Sequence, residues 1–319
     1  MCAGWQFHLP GCERQGTGHG SSPMLPTVFL WCPAYTLPPE RLSATLAVAE
    51  VFSANIGGKL VPASDLSVFT GNGTWRTAAE RQATFRQALT HDVLLAARGG
   101  YGCLDLLAVL NDFTGPLPFL IGYSDLTVFH AAWSVRGEGE SIFGFMPGVP
   151  HGNRASASCE SLWRGEGLAL SPQTCPEVFI GHRGQAHGRL FAACLRVLTG
   201  LIGTPWMPSL RGVILAIEDI DERPYRIDRD LQQLFLAGCL DGVVGLVTNA
   251  FPAPTPNGYQ GPTATQIITA WAERLQIPAI IALPFGHHAD PLALPCGRLT
   301  DLVVETDHWQ MIIQPKIAQ

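Results

Sequence analysis

Short apolar runs alternate with longer amphipathic runs over the first half of the chain. The predicted strands are 27–31, 59–62, 92–97 and 118–122, and the predicted helices between them are 40–53, 77–89, 104–110 and 125–133. Strands that alternate with helices across short loops are typical of a parallel sheet with helices on its faces. The pattern therefore predicts an N-terminal α/β domain over residues 26–147.

The alternation stops at residues 148–177, which are rich in Gly, Ser and Pro and predict a linker. Beyond it, the predicted strands are 212–217, 243–247, 279–283 and one or more within 299–313, and the predicted helices are 228–237 and 263–275. Residues 178–319 are thus expected to form a smaller C-terminal domain of mixed β/α type. The predicted fold class is α/β, with an N-terminal parallel sheet flanked by helices.

Residues 1–25 do not fit either domain. They are rich in Gly, Ser and Cys and lack a basic region followed by an apolar one, so they do not predict a secretory signal. Two explanations stay open: a disordered leader, or an upstream start with Met24 as the true beginning. No apolar run approaches the ~18 residues that cross a bilayer, so no membrane partner is expected.

The charge and the cysteine content of the chain argue against several classes of protein. The net charge is −6, from 20 basic and 26 acidic residues, and no Lys/Arg run is present, which argues against a nucleic-acid partner. Charged residues make up 14% of the chain, which indicates large buried areas and a subunit interface. Nine cysteines without a Cys-x-x-Cys motif predict neither a zinc clip nor disulfides, and favour the cytoplasm.

The first candidate for chemistry is Ser124. A predicted strand ends at Gly122, Ser124 follows two residues later, and a helix begins at once. This order lifts the hydroxyl off the carboxyl edge of the sheet, beside the first N–H groups of a helix. It resembles a nucleophile elbow, Gly-x-Ser-x-Gly, although Leu126 stands at the second Gly. The alternative is that Ser124 caps the helix.

A glycine-rich loop, RGGYG at 98–102, follows the predicted strand 92–97. Three glycines in four positions let backbone N–H groups approach a ligand, as an oxyanion hole or a phosphate site requires. The loop lacks the Lys-Ser/Thr of a P-loop, so phosphate is the weaker interpretation. A tight turn without function is the alternative.

Two further strand ends carry a carboxylate and an imidazole. Glu218 closes the strand 212–217, where a carboxylate can orient an imidazole; the alternative is a solvated acidic turn, because three more acidic residues follow within four positions. His287 and His288 follow a Gly after the strand 279–283, and a neutral imidazole there is a candidate general base. A surface histidine or a metal ligand is the alternative to a base. The candidate partners His151, His182 and His187 lie at no ligand-like spacing, so no metal is predicted.

These motifs occur together and in one order. The motifs are RGGYG at 98–102, IGYSDLT at 121–127, EDI at 218–220 with PYRIDR at 224–229, and PFGH at 284–287. As a set they resemble the LD-carboxypeptidase family of serine peptidases, which includes muramoyltetrapeptide carboxypeptidases and microcin C self-immunity peptidases. The resemblance spans residues 27–304.

The resemblance implies a cytoplasmic serine peptidase without metal or cofactor, with its active site between two domains, commonly in a homodimer. It assigns Ser124 as nucleophile, Glu218 as orienting carboxylate and His287 as base, in preference to His288. It assigns the backbone N–H groups of Gly100 and Asp125 as oxyanion donors. The implied reaction cuts an L,D-peptide bond and releases the terminal D-alanine of a murein tetrapeptide during cell-wall recycling.

The sequence allows more than one substrate and more than one residue that binds it. HGRL at 187–190 stands where the family commonly has Gly-Gly-Asn-Leu, and Arg98, Arg189 or Arg226 could bind the terminal carboxylate. A second interpretation keeps the chemistry but takes a peptidyl- or aminoacyl-nucleotide, with Trp75 or Trp206 stacking on the base. A third interpretation is a peptide-binding protein that has lost turnover.

Overall fold

The computed structural model describes residues 25–68, 75–253 and 258–316. The leader predicted at 1–25 therefore lies outside the described residues, apart from Leu25. Within these three ranges, no helix is both long enough and apolar enough to cross a membrane.

Strands and helices alternate over residues 27–163, whereas the strands within 168–194 and within 279–313 follow one another without a helix between them. The strands are β1 Thr27–Trp31, β2 Lys59–Pro62, β3 Val93–Ala96, β4 Phe119–Gly122, β5 Ser141–Phe143, β6 Leu168–Leu170, β7 Phe179–His182, β8 Gly184–Cys194, β9 Val213–Glu218, β10 Gly245–Thr248, β11 Ala279–Ile281, β12 Leu294–Cys296, β13 Leu299–Val304 and β14 Trp309–Ile313. The α-helices are α1 Pro39–Asn55, α2 Ala78–Ala88, α3 Leu107–Asp112, α4 Thr127–Arg136, α5 Asn153–Trp163, α6 Leu195–Thr199, α7 Pro224–Leu236 and α8 Ala264–Leu275. Short 3-10 helices at Cys103–Leu106 and Ser124–Leu126 lead into α3 and α4.

The first sheet has the order β12-β5-β4-β3-β1-β2. β1 to β5 are mutually parallel, and β12 pairs with β5 in the antiparallel sense at the edge. All four residues of β3 are buried, as expected for a parallel strand covered on both faces. The predicted N-terminal parallel sheet flanked by helices is confirmed.

The second sheet has the order β6-β14-β13-β8-β9-β10-β11-β7. Its central strands, β8 to β11, are parallel, and the outer strands pair in the antiparallel sense. This mixed sheet confirms the predicted β/α character of the C-terminal half. With eight strands it is larger than the first sheet, because β6, β7 and β8 form within 168–194, where the sequence pattern predicts no strand.

The stretch predicted as a linker, residues 148–177, carries regular structure. It contains α5, which buries Ala155, Cys159 and Leu162 along one face, and β6, which pairs with β14. Small residues line this face, so the apolar periodicity of the sequence is weak there. The domain boundaries at 147 and 178 stay predictions.

Two features join the halves of the chain. β12 comes from the C-terminal half and completes the first sheet. In addition, the backbone N–H of Cys194, at the end of β8, donates a buried hydrogen bond of 2.8 Å to Oγ1 of Thr127, at the start of α4. Because α4 follows β4 of the first sheet, this bond fixes the start of α4 against the second sheet.

We predict that Thr127→Val lowers the free energy of unfolding by about 1–3 kcal/mol, because it leaves the buried N–H of Cys194 without a partner. Urea denaturation measures the change. The matched control is Thr90→Val, since the exposed Thr90 hydroxyl bonds within its own turn, to the carbonyl of Gln87. Equal stability of Thr127→Val and the parent protein would contradict this prediction.

Candidate active site

Ser124 occupies a strained turn between β4 and α4. Its φ is +68°, a left-handed conformation that costs a non-glycine residue about 1–3 kcal/mol and that clusters at active sites. The hydroxyl is half-buried and forms no hydrogen bond with any residue in the described ranges, so it does not cap the helix. We name residues 122–126 the nucleophile turn.

The glycine-rich loop lies directly against the nucleophile turn. A Cβ added at Gly99 would lie 3.1 Å from Cβ and 3.2 Å from Oγ of Ser124. Gly100 has φ +141°, and a Cβ there would lie 2.6 Å from the ring of Tyr35. No described residue accepts a hydrogen bond from the N–H of Gly100. This loop therefore presents a free donor beside the serine.

Asp125 joins the nucleophile turn to the glycine-rich loop. Its Oδ2 accepts a hydrogen bond of 2.8 Å from the backbone N–H of Cys103. Burial raises the pKa of this carboxyl, and hydrogen bonds from Cys103 oppose the shift. The N–H of Asp125 stands in the first turn of a helix, where N–H groups lack intrahelical partners. The two predicted oxyanion donors, Gly100 and Asp125, thus belong to segments that are hydrogen-bonded to each other.

Glu218 and His287 form a hydrogen-bonded pair. Glu218 ends β9 and is fully buried, and its Oε2 accepts hydrogen bonds from Nδ1 of His287, at 2.7 Å, and from the His287 backbone N–H, at 3.2 Å. Its Oε1 has no partner among the described residues. Because a carboxylate accepts hydrogen bonds, Nδ1 carries the proton and Nε2 keeps its lone pair. We name residues 284–290 the base loop.

The charges around His287 favour the protonated form of its imidazole. Burial lowers the pKa of His287. The hydrogen bond and negative charge of Glu218, together with the charges of Asp219 and Asp221, raise it by a larger amount. The pKa of His287 therefore lies above its ordinary value. Asp219 is buried as well. Burial and the charge of Glu218 raise its pKa to about 7, although hydrogen bonds from the backbone N–H groups of Arg196 and Ile220 lower it in part. A solvated acidic turn does not describe Glu218 or Asp219.

His288 makes contacts different from those of His287. It is exposed, and its Nδ1 accepts a hydrogen bond of 3.1 Å from the backbone N–H of Asp290. His288 therefore closes a turn within the base loop, whereas His287 faces Glu218.

The structure brings two of the three predicted catalytic side chains into contact and places the third nearby. Glu218 and His287 are hydrogen-bonded, but no hydrogen bond joins Ser124 to His287 in the described structure. The ring of Tyr123, the residue before Ser124, packs nearly perpendicular to the His287 ring, with 5.2 Å between centroids. The Tyr123 hydroxyl lies 3.2 Å from Nε2 of His151.

Sequence reasoning missed Tyr123 and His151 as parts of this site. Tyr123 lies within the motif 121–127, but nothing in the sequence distinguishes it from a core aromatic residue. His151 lies in the stretch predicted as a linker. Its contact with Tyr123 spans 28 residues, so local spacing carried no signal for it.

The three candidate arginines differ in their position. Arg98 is the first residue of the glycine-rich loop and is half-buried, with its guanidinium 5.7 Å from the centre of the Tyr35 ring. Arg189 is exposed on β8 and donates to the carbonyl of Gly297. Arg226 is exposed on α7 and pairs with Glu222 at 3.3 Å. Of these side chains, Arg98 is the one in a segment that contacts Ser124.

The candidate stacking residues also differ. The ring of Trp75 stacks on that of Tyr101, with 5.9 Å between centroids, and Tyr101 is 63% exposed. This aromatic pair adjoins the glycine-rich loop. Trp206 lies elsewhere, in a cavity lined by α3 and α4.

The described residues contain no group of three or more His, Cys, Asp or Glu side chains that could hold a metal ion.

Comparisons with known proteins identify the family of this chain. Residues 28–144 match the LD-carboxypeptidase N-terminal domain, and residues 187–302 match the LD-carboxypeptidase C-terminal domain. The chain belongs to the LD-carboxypeptidase family. The resemblance noted in the sequence is thereby confirmed, as is the predicted enzyme class, a serine-type peptidase.

Individual relatives extend over most of the chain. A Streptomyces coelicolor protein with a carboxypeptidase name is 30% identical over 88% of this chain and 91% of its own length. The murein tetrapeptide carboxypeptidase of Pseudomonas aeruginosa is 28% identical over 66% of this chain and 72% of its own. The crystal structure of muramoyltetrapeptide carboxypeptidase from Oxalobacter formigenes has the same fold, with a TM-score of 0.74 and 24% identity over 91% of this chain and 100% of that chain.

Gly286 lies directly against the side chain of Glu218, and its lack of a Cβ makes this close contact possible. Its φ is +65°, and an added Cβ would lie 2.5 Å from Cδ of Glu218. We predict that Gly286→Ala displaces Glu218 and lowers the pKa of His287, because burial then outweighs the weakened pairing. An NMR titration of His287 measures this shift.

The matched control is Gly57→Ala, since Gly57 has φ +73° but no neighbour within 4 Å of an added Cβ. Both variants lose about 1–2 kcal/mol of stability to backbone strain. Gly286→Ala loses about 1–3 kcal/mol more through the collision. Equal losses and an unshifted His287 titration would show that the collision is relieved without moving Glu218.

Proposed function

We propose that this protein is a serine LD-carboxypeptidase that removes the terminal D-alanine from a murein tetrapeptide, through Ser124, Glu218 and His287. The observation that carries the proposal is the fully buried Glu218, hydrogen-bonded to His287, with Ser124 held in a strained turn at the edge of the neighbouring sheet. The names of the murein peptidase relatives support the substrate class.

The first half of the reaction forms an acyl-enzyme. Nε2 of His287 takes the proton of the Ser124 hydroxyl as Oγ attacks the scissile carbonyl carbon, and Glu218 stabilises the imidazolium. The N–H groups of Gly100 and Asp125 donate to the developing oxyanion, and each such donor is worth about 3–4 kcal/mol of barrier. His287 then gives its proton to the leaving amine of D-alanine as the C–N bond breaks.

The second half releases the peptide. His287 takes a proton from water, the hydroxide attacks the ester carbonyl, and the proton returns to Ser124 as the C–O bond breaks. The hydrogen bond between Ser124 and His287 forms with substrate in place, since catalytic hydrogen bonds of resting enzymes often tighten only in the complex. We assign Arg98 to the terminal carboxylate, because it is the first residue of the glycine-rich loop, which contacts Ser124 through Gly99.

A second candidate substrate is a peptidyl- or aminoacyl-nucleotide. The exposed Tyr101 ring, stacked on Trp75 beside the glycine-rich loop, favours it, because such a surface suits a base. Mass spectrometry of products from murein tetrapeptides and aminoacyl-nucleotides distinguishes the two substrates. Release of D-alanine from the tetrapeptide alone supports the main proposal.

We also propose that the protein works in the cytoplasm as a homodimer. The described cysteines are all free thiols, and most of them are buried, which suits a reducing compartment. Sedimentation analysis tests the dimer.

We predict that Ser124→Ala lowers kcat for a murein tetrapeptide by at least about 10³-fold, because it removes the nucleophile. Ser134→Ala, on the helix that follows the nucleophile turn, is the control and keeps parental activity. Undiminished hydrolysis by Ser124→Ala would disprove the assigned nucleophile. Binding of peptides by the parent protein without any cleavage would favour the peptide-binding alternative.

We predict that kcat/KM falls on the acid side with a midpoint above about 6.5, the ordinary histidine value, because His287 must be neutral and its pKa is raised. Glu218→Gln removes the charge that raises this pKa, so the midpoint moves to lower pH while kcat falls. A pH–rate profile of both proteins measures the shift. An identical acid limb in Glu218→Gln would exclude His287 as the titrating base.

A further inference from the structure

Two groups beside His287 have no part in the proposed reaction. Tyr123 is 2% exposed, and its hydroxyl lies 3.2 Å from Nε2 of His151. Its ring packs against both imidazoles, with centroids 5.2 Å from that of His287 and 5.6 Å from that of His151. One buried tyrosine thus contacts both histidines.

Tyr123 also anchors the nucleophile turn. It immediately precedes Ser124, whose left-handed backbone persists only where the surroundings hold it. The Tyr123 side chain is fixed at its hydroxyl by His151 and along its ring by Phe143, at 6.0 Å between centroids. Loss of the bond to His151 would therefore loosen the chain on one side of Ser124.

The segment that carries His151 is bonded to the base loop. The N–H of Gly152 donates to the carbonyl of Ala289 at 3.1 Å, and the N–H of Arg154 donates to Oδ1 of Asp290 at 3.0 Å. The Arg154 guanidinium adds an ion pair, with Nε 3.4 Å from Oδ2 of Asp290. His151 is thus attached to the loop that positions the base.

His151 is in the neutral state that can accept a hydrogen bond from Tyr123. Burial lowers its pKa to about 4; the positive charge of His287 lowers it as well, and Asp290 opposes the shift. A neutral imidazole can accept the phenol O–H at Nε2. Its Nδ1 is buried and has no partner in the described structure, so the bond to Tyr123 is the polar contact that holds the ring.

We infer that Tyr123 and His151 are positioning residues, which hold the nucleophile turn of the first sheet in register with the base loop of the second. The inference rests on the proposed function for its catalytic consequence. Its structural content, a connection between the two segments through one side-chain hydrogen bond, stands independently.

The kinetic test uses single and double variants. Tyr123→Phe removes the hydroxyl, and His151→Ala removes its partner; each lowers kcat about tenfold with KM within about twofold, as loss of one buried hydrogen bond in the transition state predicts. The double variant is no slower than the slower single one, because both remove the same bond. His151→Gln, whose amide oxygen can accept from the phenol, recovers most of the rate.

The controls are a tyrosine and a histidine outside the nucleophile turn, the base loop and the segment that carries His151, and each makes one side-chain hydrogen bond to a backbone carbonyl. Tyr259→Phe removes a bond to the carbonyl of Pro262, and His182→Ala removes one to the carbonyl of Ile277. Both keep parental kcat. Parental kcat in Tyr123→Phe and His151→Ala, with Ser124→Ala inactive, overturns the inference and leaves the proposed function standing.

Amide hydrogen exchange gives a readout that needs no substrate. In His151→Ala, the amide of Leu126, which donates to the carbonyl of Tyr123, exchanges at least about fivefold faster than in the parent protein, whereas His182→Ala leaves it unchanged. Unchanged exchange in His151→Ala overturns the inference. If the parent protein cleaves no peptide, the proposed function fails, and exchange alone decides the connection between the two segments.

Discussion

The active-site geometry depends on the buried carboxylate of Glu218. Both hydrogen bonds to its Oε2 come from His287, through the imidazole and the backbone N–H. Because Glu218 is fully buried, moving the base loop away would leave its Oε2 without a hydrogen-bond donor, which costs about 1–3 kcal/mol or more for a charged group. Gly286 permits the close approach because any side chain there would meet Glu218. The position of the imidazole therefore follows from one pair of residues.

The nucleophile is held by a separate set of contacts on the other sheet. The strained backbone at Ser124 is bounded by Tyr123 on one side and by Asp125, bonded to the glycine-rich loop, on the other. The serine thus follows a strand of the first sheet, and the imidazole follows a strand of the second sheet. Their relative placement depends on contacts between the sheets, among them the bond between Thr127 and Cys194 and the packing of Tyr123 on His287.

The sequence predicted the parallel part of the fold well because strands buried on both faces are continuous apolar runs. It could not predict β8, whose first residues alternate between polar exposed positions and small ones, or α5, whose buried face is made of small side chains. The candidate residues Ser124, Glu218 and His287 were visible because each follows a strand end. His151 was not, because its importance arises from a contact between segments distant in sequence.

The decisive experiment is a crystal structure of the protein after reaction with a phenyl phosphonate ester analogue of the tetrapeptide. The proposed mechanism predicts that Oγ of Ser124 bonds to phosphorus as phenoxide leaves, with a phosphonyl oxygen about 3 Å from the N–H groups of Gly100 and Asp125. It also predicts Nε2 of His287 within hydrogen-bond distance of Oγ while Nδ1 stays on Glu218. A phosphonate bonded to another residue, or a His287 ring that stays out of reach of Ser124, would contradict the account.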